Sequence, residues 1–382
     1  MNLFAKLKER KRLIDAFKKA GIYLKIGDTD RLIYPKIHSV HTTKYRTEYT
    51  FTLLNGINPD ILKKNFYVFQ QYFGKNIELA GEVKRFTLTV NRLSLPQELR
   101  YKYATIAPML DGYHMPIVCG MDNAGDWMIY DAITEPNCLI SGEPGAGKST
   151  QLRSILITLL QRKTADELQI YLGDLKMSEF FLFKGVRHVQ SVCVYPEDLA
   201  RMLAYLHAEM KRRGELLNKY GVTHVTKLPK AARVPFILLA IDEIVMIMDD
   251  KEMKRIIVQL VALGRALGIY CILSLQRPSH DILDTKIRGL LTVRMGFRTT
   301  DFSNSRIIGT PGSEQISKET PGRFMIKRDE LTELQAPYLT EERAAEILAA
   351  YKTDGWTDMF AGKASPVTYL QLTESEVFND AN

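Results

Sequence analysis

The sequence predicts an α/β protein in which a mostly parallel sheet, covered by helices on both faces, follows a smaller α+β domain. From residue 131 onward, short apolar runs alternate with helical stretches, the pattern of strands buried on both faces and joined by crossover helices. One run opens directly into a glycine-rich turn and a helix, at GEPGAGKST (142–150). Another, VPFILLAIDEI (234–244), ends in two adjacent acids. Ahead of residue 130 the pattern changes to short β-like runs around one helical stretch.

At 382 residues, 46% hydrophobic and 25% charged, the chain reads as a globular protein of about two domains. The longest apolar runs, Ser154–Leu160 and Pro235–Met248, are shorter than the roughly 18–20 residues of a bilayer crossing, and the second holds Asp242 and Glu243. No membrane span is expected. The start, MNLFAKLKERKRLIDAFKKAGIYL, has charges threaded through it and no apolar core of a signal peptide, so the expected location is the cytoplasm, with peripheral contact at a membrane left open. Four separated cysteines without a CxxC pair argue against a zinc site or a disulfide framework. The net charge of +8 is uneven: residues 1–110 carry +11, 111–130 carry −3, 131–330 carry +6 and the last 52 carry −6. A basic body suits a polyanionic partner through counterion release, although many basic enzymes bind no nucleic acid.

Residues 1–20 read as a basic amphipathic helix, with Leu3, Phe4, Leu7, Leu13, Ile14 and Phe17 at helical spacing. Packing on the chain's own core and docking on DNA or a membrane surface both stay open. Residues 21–130 form the α+β accessory domain, from the runs LIYPKI, YTFTLL and VKRFTLTV and the helical INPDILKKNFYVFQQYFG, whose aromatics read as core. A connecting stretch with scattered Gly and Pro covers about 96–134. The motor domain, 131–350, has strand candidates at Asn137–Ser141, Leu168–Asp174, Phe236–Ile241, Ile269–Leu275, Leu290–Phe297 and Arg323–Ile326. Its helices fall near 148–162, 196–216, 250–266 and 341–351. Residues 351–382 read as a C-terminal tail, either loose or docked on a neighbour.

The glycine-rich turn carries the first chemistry. Gly142, Gly147, Lys148 and Ser149 fill G-x-x-x-x-G-K-[ST] between a predicted strand and a predicted helix, which is the context that makes the motif meaningful. Gly142, Gly145 and Gly147, with Glu143, Pro144 and Ala146 between them, let successive backbone N–H groups face one anion, and the helix adds its positive end. Lys148 then reaches the β- and γ-phosphates of ATP, Ser149 holds Mg²⁺, and Thr150 completes the turn. In the second motif Asp242 is placed to hold Mg²⁺, and Glu243 to take a proton from the attacking water. Two acids directly after a buried run are expensive without a cation nearby.

Lys148 and Asp242 are 94 residues apart, with the run Leu168–Asp174 between them. That extra strand separates the two motif strands, as in RecA-like additional-strand P-loop NTPases. With no guanine-reading NKxD in place, ATP is the expected nucleotide. Gln276, after the strand Ile269–Leu275, is placed to sense the γ-phosphate and orient water. Arg265, at the end of the preceding helix and on the opposite side from its own P-loop, is placed to serve a neighbour's ATP as an arginine finger. A helix C-terminal Arg complementing the dipole and a Gln capping a strand are the bland readings of the same residues.

These motifs occur in a linked order that resembles FtsK/SpoIIIE-type DNA translocases of the HerA/FtsK superfamily. The order runs from GEPGAGKST through DLK (Asp174–Lys176), EMKRR (Glu209–Arg213), IDE (Ile241–Glu243) and GRALGI (Gly264–Ile269) to LQRPSHDIL (Leu275–Leu283). DFSNSRII (301–308) and TPGRFMI (320–326) extend the likeness, which spans about 137–327. The resemblance implies a homo-oligomeric, hexameric ring with ATP at subunit interfaces, Arg265 as the trans finger, Gln276 as sensor and double-stranded DNA in the pore. It places Arg277, Arg288 and Arg306 at DNA contacts, where a solvated surface Arg is the alternative. The membrane helices, long linker and winged helix of the cell-division members are not read in these residues. QAPYL (Gln335–Leu339) is similar to the related proteins of Gram-positive conjugative elements and plasmids, which implies transfer or maintenance of a mobile element. A coupling ATPase that hands protein or relaxase-bound single-stranded DNA to a membrane transfer apparatus stays open. So does a DNA-binding assembly protein that uses nucleotide only as a switch.

Overall fold

The computed structural model describes residues 3–26, 31–43, 46–91, 95–278, 283 and 285–362. The chain divides into two compact units, one of residues 1–96 with 121–126, the other of 97–120 with 127 onward.

In the first unit, four antiparallel strands run in the order Lys36–Thr42, Arg46–Thr52, Arg85–Asn91, Ile77–Ala80. Alternation along Arg46–Thr52 points Thr47, Tyr49 and Phe51 inward. Against them pack the helices Leu3–Lys19 and Phe66–Phe73, with Phe17 edge-on to Phe51 at 4.9 Å and to Phe69 at 5.9 Å. The first helix therefore buries Leu13, Ala16 and Phe17 in its own unit, while Leu7 on the same helix is exposed. Phe69 and Phe73 are core, while Tyr67 is exposed.

The second unit is built on ten strands in the order Val189–Cys193, Leu168–Gly173, Phe236–Ile241, Ile269–Leu275, Asn137–Ser141, Val293–Phe297, Arg323–Lys327, Leu331–Gln335, Pro116–Met121, Trp127–Asp131. The first six are parallel. Arg323–Lys327 then turns antiparallel to Val293–Phe297, and Leu331–Gln335 antiparallel to it in turn. Two apolar clusters, one on each face, hold the helices Lys148–Arg162, Pro196–Tyr220 and Lys251–Leu267 to the sheet. Motif strands Asn137–Ser141 and Phe236–Ile241 are not adjacent, as expected of an additional-strand P-loop fold, but the strand between them is Ile269–Leu275; Leu168–Gly173, expected to separate them, pairs with the outer side of Phe236–Ile241.

Several boundaries differ from the sequence reading. The stretch expected to connect the domains contributes Pro116–Met121 and Trp127–Asp131 to the large sheet, so the unit boundary does not fall at 130. Gly120 marks the reason: a Cβ there would meet the Gln335 carbonyl oxygen at 2.3 Å, so this glycine serves close strand approach rather than a loop. Val189–Cys193 is a strand that the reading did not include. The expected strand 290–297 begins at Val293, behind a short helix Thr285–Leu290. Within the expected tail, residues 351–362 lie along the edge strand Val189–Cys193 of the same chain. Trp356 Nε1 donates to the Val189 carbonyl at 2.6 Å, the Met359 N–H to that of Gln190 at 3.0 Å, and Phe360 is buried. An exposed strand edge is thereby covered. Residues 363–382 of the expected tail lie outside the described residues. All four cysteines are buried free thiols, and burial pushes Cys138, Cys193 and Cys271 up to about 12. No helix among the described residues is long and apolar enough to cross a membrane.

Candidate nucleotide site

The P-loop leaves the strand Asn137–Ser141 at its carboxyl end and enters the helix Lys148–Arg162. Gly145 and Gly147 adopt φ of +75° and +113°, which β-carbon-bearing residues rarely tolerate. At Gly147 there is a second constraint, because a Cβ would lie 2.7 Å from Gly322 Cα. The turn is further tied down by the Gly322 N–H donating to the Ala146 carbonyl at 2.9 Å, by the Glu143 N–H donating to the Arg298 carbonyl at 2.9 Å, and by an ion pair between the Glu143 and Arg298 side chains. Lys148 is buried, and its ammonium donates to the carbonyls of Gly142 at 2.6 Å and Glu143 at 3.2 Å. Burial lowers its pKa to about 8 against the opposing pull of Asp242 and Glu243.

Asp242 and Glu243 follow the strand Phe236–Ile241, two positions along the sheet from the P-loop strand. Both are buried. Asp242 is raised to about 6, first by burial and then by the nearby Glu179, with Lys176 acting in the other direction. Glu243 has both oxygens engaged: Oε2 accepts from Lys176 Nζ at 2.6 Å, and Oε1 from the Gln276 backbone N–H at 3.4 Å. Ser149 donates its hydroxyl proton to Glu179. Lys176 and Glu179 come from the turn after Leu168–Gly173, which buried Asp174 folds by accepting from the N–H groups of Ser178, Glu179 and Phe180 at 3.1, 3.1 and 2.9 Å. Met177 in this turn has φ +56°, the one positive φ of a non-glycine residue among those described.

The structure thus brings Lys148, Ser149, Asp242, Glu243 and Gln276 to the carboxyl ends of three neighbouring parallel strands, where ligands bind in open α/β sheets. Pro144, Gly145, Gly147, Lys148, Ser149, Thr150, Glu179 and Gln276 line one cavity of about 510 Å³. Arg265 lies at the other end of the sheet, just ahead of the strand Ile269–Leu275, and its Nε donates to the Ile133 carbonyl at 3.1 Å. Arg277 is exposed directly beyond Gln276; Arg288 is half-buried on the helix Thr285–Leu290; Arg306 is exposed on Phe302–Ile308, its guanidinium 5.6 Å from the Phe302 ring centroid. They occupy three separate elements.

Sequence reasoning did not single out Lys176 or Glu179 as site residues. DLK was visible as a motif, but only the fold shows that its strand neighbours the one ending in Asp242. Nor did it foresee that QAPYL lines the cavity. Chemically, the cluster offers a cradle of backbone N–H groups and one ammonium for phosphates, an oxygen donor set, and a buried carboxylate within reach of a proton.

The FtsK/SpoIIIE family model matches residues 110–234. The DNA translocase FtsK of Tropheryma whipplei (strain TW08/27) is 26% identical over 268 residues, covering 65% of this chain and 36% of that protein. That of Treponema pallidum (strain Nichols) is 28% identical over 254 residues, covering 63% and 32%. The chain spans about a third of the length of these curated relatives. In fold it is similar to the pCW3 conjugation coupling protein TcpA, solved in a monomer form with ATPγS: TM-score 0.61, 23% identity, 90% of this chain and 100% of that one. With the P-loop inside the matched stretch, the chain is similar to the FtsK/SpoIIIE family over those residues and to FtsK DNA translocases over a longer span.

Proposed function

We propose that this chain hydrolyses Mg²⁺–ATP and uses it to move double-stranded DNA through a ring of its own copies, serving transfer or maintenance of a mobile element. Lys148 exchanges its loop carbonyls for the β- and γ-phosphates, which offer stronger charge-assisted bonds. Among the described residues no three His, Cys, Asp or Glu side chains form a metal cage. The few oxygen donors, Ser149 and Asp242, suit a cation that arrives with the substrate's phosphates as its other ligands. The raised Asp242, crowded by Glu179, is the observation of fit: positive charge there relieves a buried carboxylate. Glu243 accepts the proton of the attacking water once Lys176 lets go of Oε2, and Gln276 orients that water.

One observation carries the ring. The γ-phosphate end of the site and Arg265 lie at opposite ends of the same strand, Ile269–Leu275. In this reading the Arg265 of a second copy, docked head to tail, meets the developing charge, and such heterologous contacts make a ring where the rotation between copies closes. Arg277, Arg288 and Arg306 are the proposed contacts to the DNA backbone. Steady-state ATP hydrolysis measured across protein concentration, with and without linear duplex, tests this. A sharp rise along both axes is expected; turnover by a lone monomer indifferent to DNA overturns it.

The end-to-end likeness in fold to TcpA favours a second reading, a coupling ATPase that hands protein or relaxase-bound single-stranded DNA to a membrane transfer apparatus. ATPase stimulated by protein and insensitive to duplex would select it.

A further inference from the structure

Ser149 has one hydroxyl proton, and in this structure that proton goes to Glu179. A hydroxyl carries one donor and two acceptor lone pairs, so this bond leaves the lone pairs of Oγ for a cation. A hydroxyl that ligates a cation has to point its proton away from it, and a free rotor takes up that orientation only at an entropic cost. Glu179 imposes the orientation beforehand. Both residues line the cavity that Lys148 also lines.

The backbone that carries Glu179 is held on both sides. Its own N–H donates to Asp174 Oδ2 at 3.1 Å, and the Phe180 N–H donates to the same oxygen at 2.9 Å. Asp174 is buried, and so is Phe180, whose ring meets Phe183 edge-on with centroids 6.2 Å apart. Two residues before Glu179, Met177 keeps its φ of +56° with its side chain 57% exposed, so packing of that side chain does not account for the strained backbone. Strain that the surroundings impose gathers at functional sites, and this turn delivers Glu179 to the P-loop hydroxyl.

We propose that Glu179 is a positioning residue of the cation subsite: it takes the Ser149 proton and so frees the Oγ lone pairs for Mg²⁺. The proposal rests on the Mg²⁺–ATP reading of the site. With that proton accepted by Glu179, the Asp242 carboxylate is not called on to accept it. Outer partners that orient a metal's ligands change metal affinity by about 10–100-fold.

The test is equilibrium binding of ATPγS to the whole chain, with Mg²⁺ and with EDTA in its place, for the parent, Glu179→Ala and Glu179→Gln. The readout is the factor by which Mg²⁺ tightens binding. Glu179→Ala should shrink that factor about tenfold, with Mg²⁺-free affinity no weaker than the parent's, because the phosphate cradle is untouched. Glu179→Gln, whose amide oxygen still accepts the Ser149 proton, should keep the factor within about threefold of the parent's. If Glu179→Gln falls as far as Glu179→Ala, the negative charge rather than the accepted proton matters, and the positioning role is wrong. An unchanged factor in Glu179→Ala overturns it too, and equal losses with and without Mg²⁺ would make Glu179 a support of the fold alone. A parent chain whose ATPγS binding is not tightened by Mg²⁺ sinks the Mg²⁺–ATP reading itself, and the proposal falls with it.

Discussion

Glu243 combines burial with two partners, one of which is a cation at 2.6 Å. In this arrangement the Lys176 ammonium occupies a lone pair that a water proton would need. Replacing Glu243 with Gln keeps the shape and the contact to the Gln276 N–H but removes the base. Turnover should fall by about 10²–10⁴ while ATP binding persists; comparing single-turnover hydrolysis with equilibrium binding separates the two effects. His188 shows residue-scale chemistry away from the site. It is buried, with Nε2 donating to the Lys163 carbonyl at 2.8 Å, and burial holds its pKa below the usual 6.5. The unfolded chain therefore takes up a proton near 6.5 that the folded ring refuses. Stability from this site is whole above that pH and is lost as pH falls through it. The drop in thermal midpoint between pH 7.5 and 5.5 should shrink in His188→Gln, which keeps a donor but cannot titrate; an unchanged pH slope would contradict the assignment.

At the scale of elements, the strap 351–362 decides whether the sheet has an open edge. Phe360 is buried, and Asp358 accepts from the Val192 N–H at 2.8 Å and from the Ser191 hydroxyl. Phe360→Ala should destabilise by about 3 kcal/mol, as large-to-small changes do in cores. Hydrogen exchange at residues 189–193 should accelerate more than at the central strands; uniform acceleration would mean that the strap is not a local cover. The strap was illegible in the sequence because single anchors, Trp356 and Phe360, sit among polar residues without a period, and what they touch is distant along the chain. The edge strand Val189–Cys193 was hidden for a related reason, since QSVCV mixes polar and apolar residues. By contrast, Asn137–Ser141, Phe236–Ile241 and Ile269–Leu275 coincide with their expected bounds, because strands buried on both faces leave unbroken apolar runs. The P-loop is legible for a backbone reason: only glycines satisfy its positive φ values. Lys176, Glu179 and Tyr338 depend on strand order and on the return of the chain after residue 320, which local spacing does not encode.

For the whole molecule, the separation of Arg265 from its own P-loop becomes an experiment in complementation. Lys148→Ala removes phosphate binding but leaves Arg265 in place; Arg265→Ala does the reverse. Each variant alone should hydrolyse ATP poorly, the first because it lacks the ammonium and the second because the transition-state charge goes unneutralised, an effect of about 10³–10⁵ for arginine fingers elsewhere. Mixed in equal amounts and allowed to exchange, some interfaces pair an intact P-loop from one copy with an intact Arg265 from the next. With random assembly that is about a quarter of sites, so independent interfaces should recover roughly a quarter of the parent's activity. If Arg265 acted within its own chain, every subunit in the mixture would remain defective and nothing would be recovered. Arg265 sits at the end of the strand Ile269–Leu275 away from Gln276, and the C-terminal end of its helix is anchored by Arg213, whose Nη1 donates to the Leu267 carbonyl at 2.8 Å while its Nε holds Glu209 at 2.7 Å. Recovery above zero but well below a quarter would add a further conclusion: the copies fire in sequence, and one defective interface stalls its neighbours.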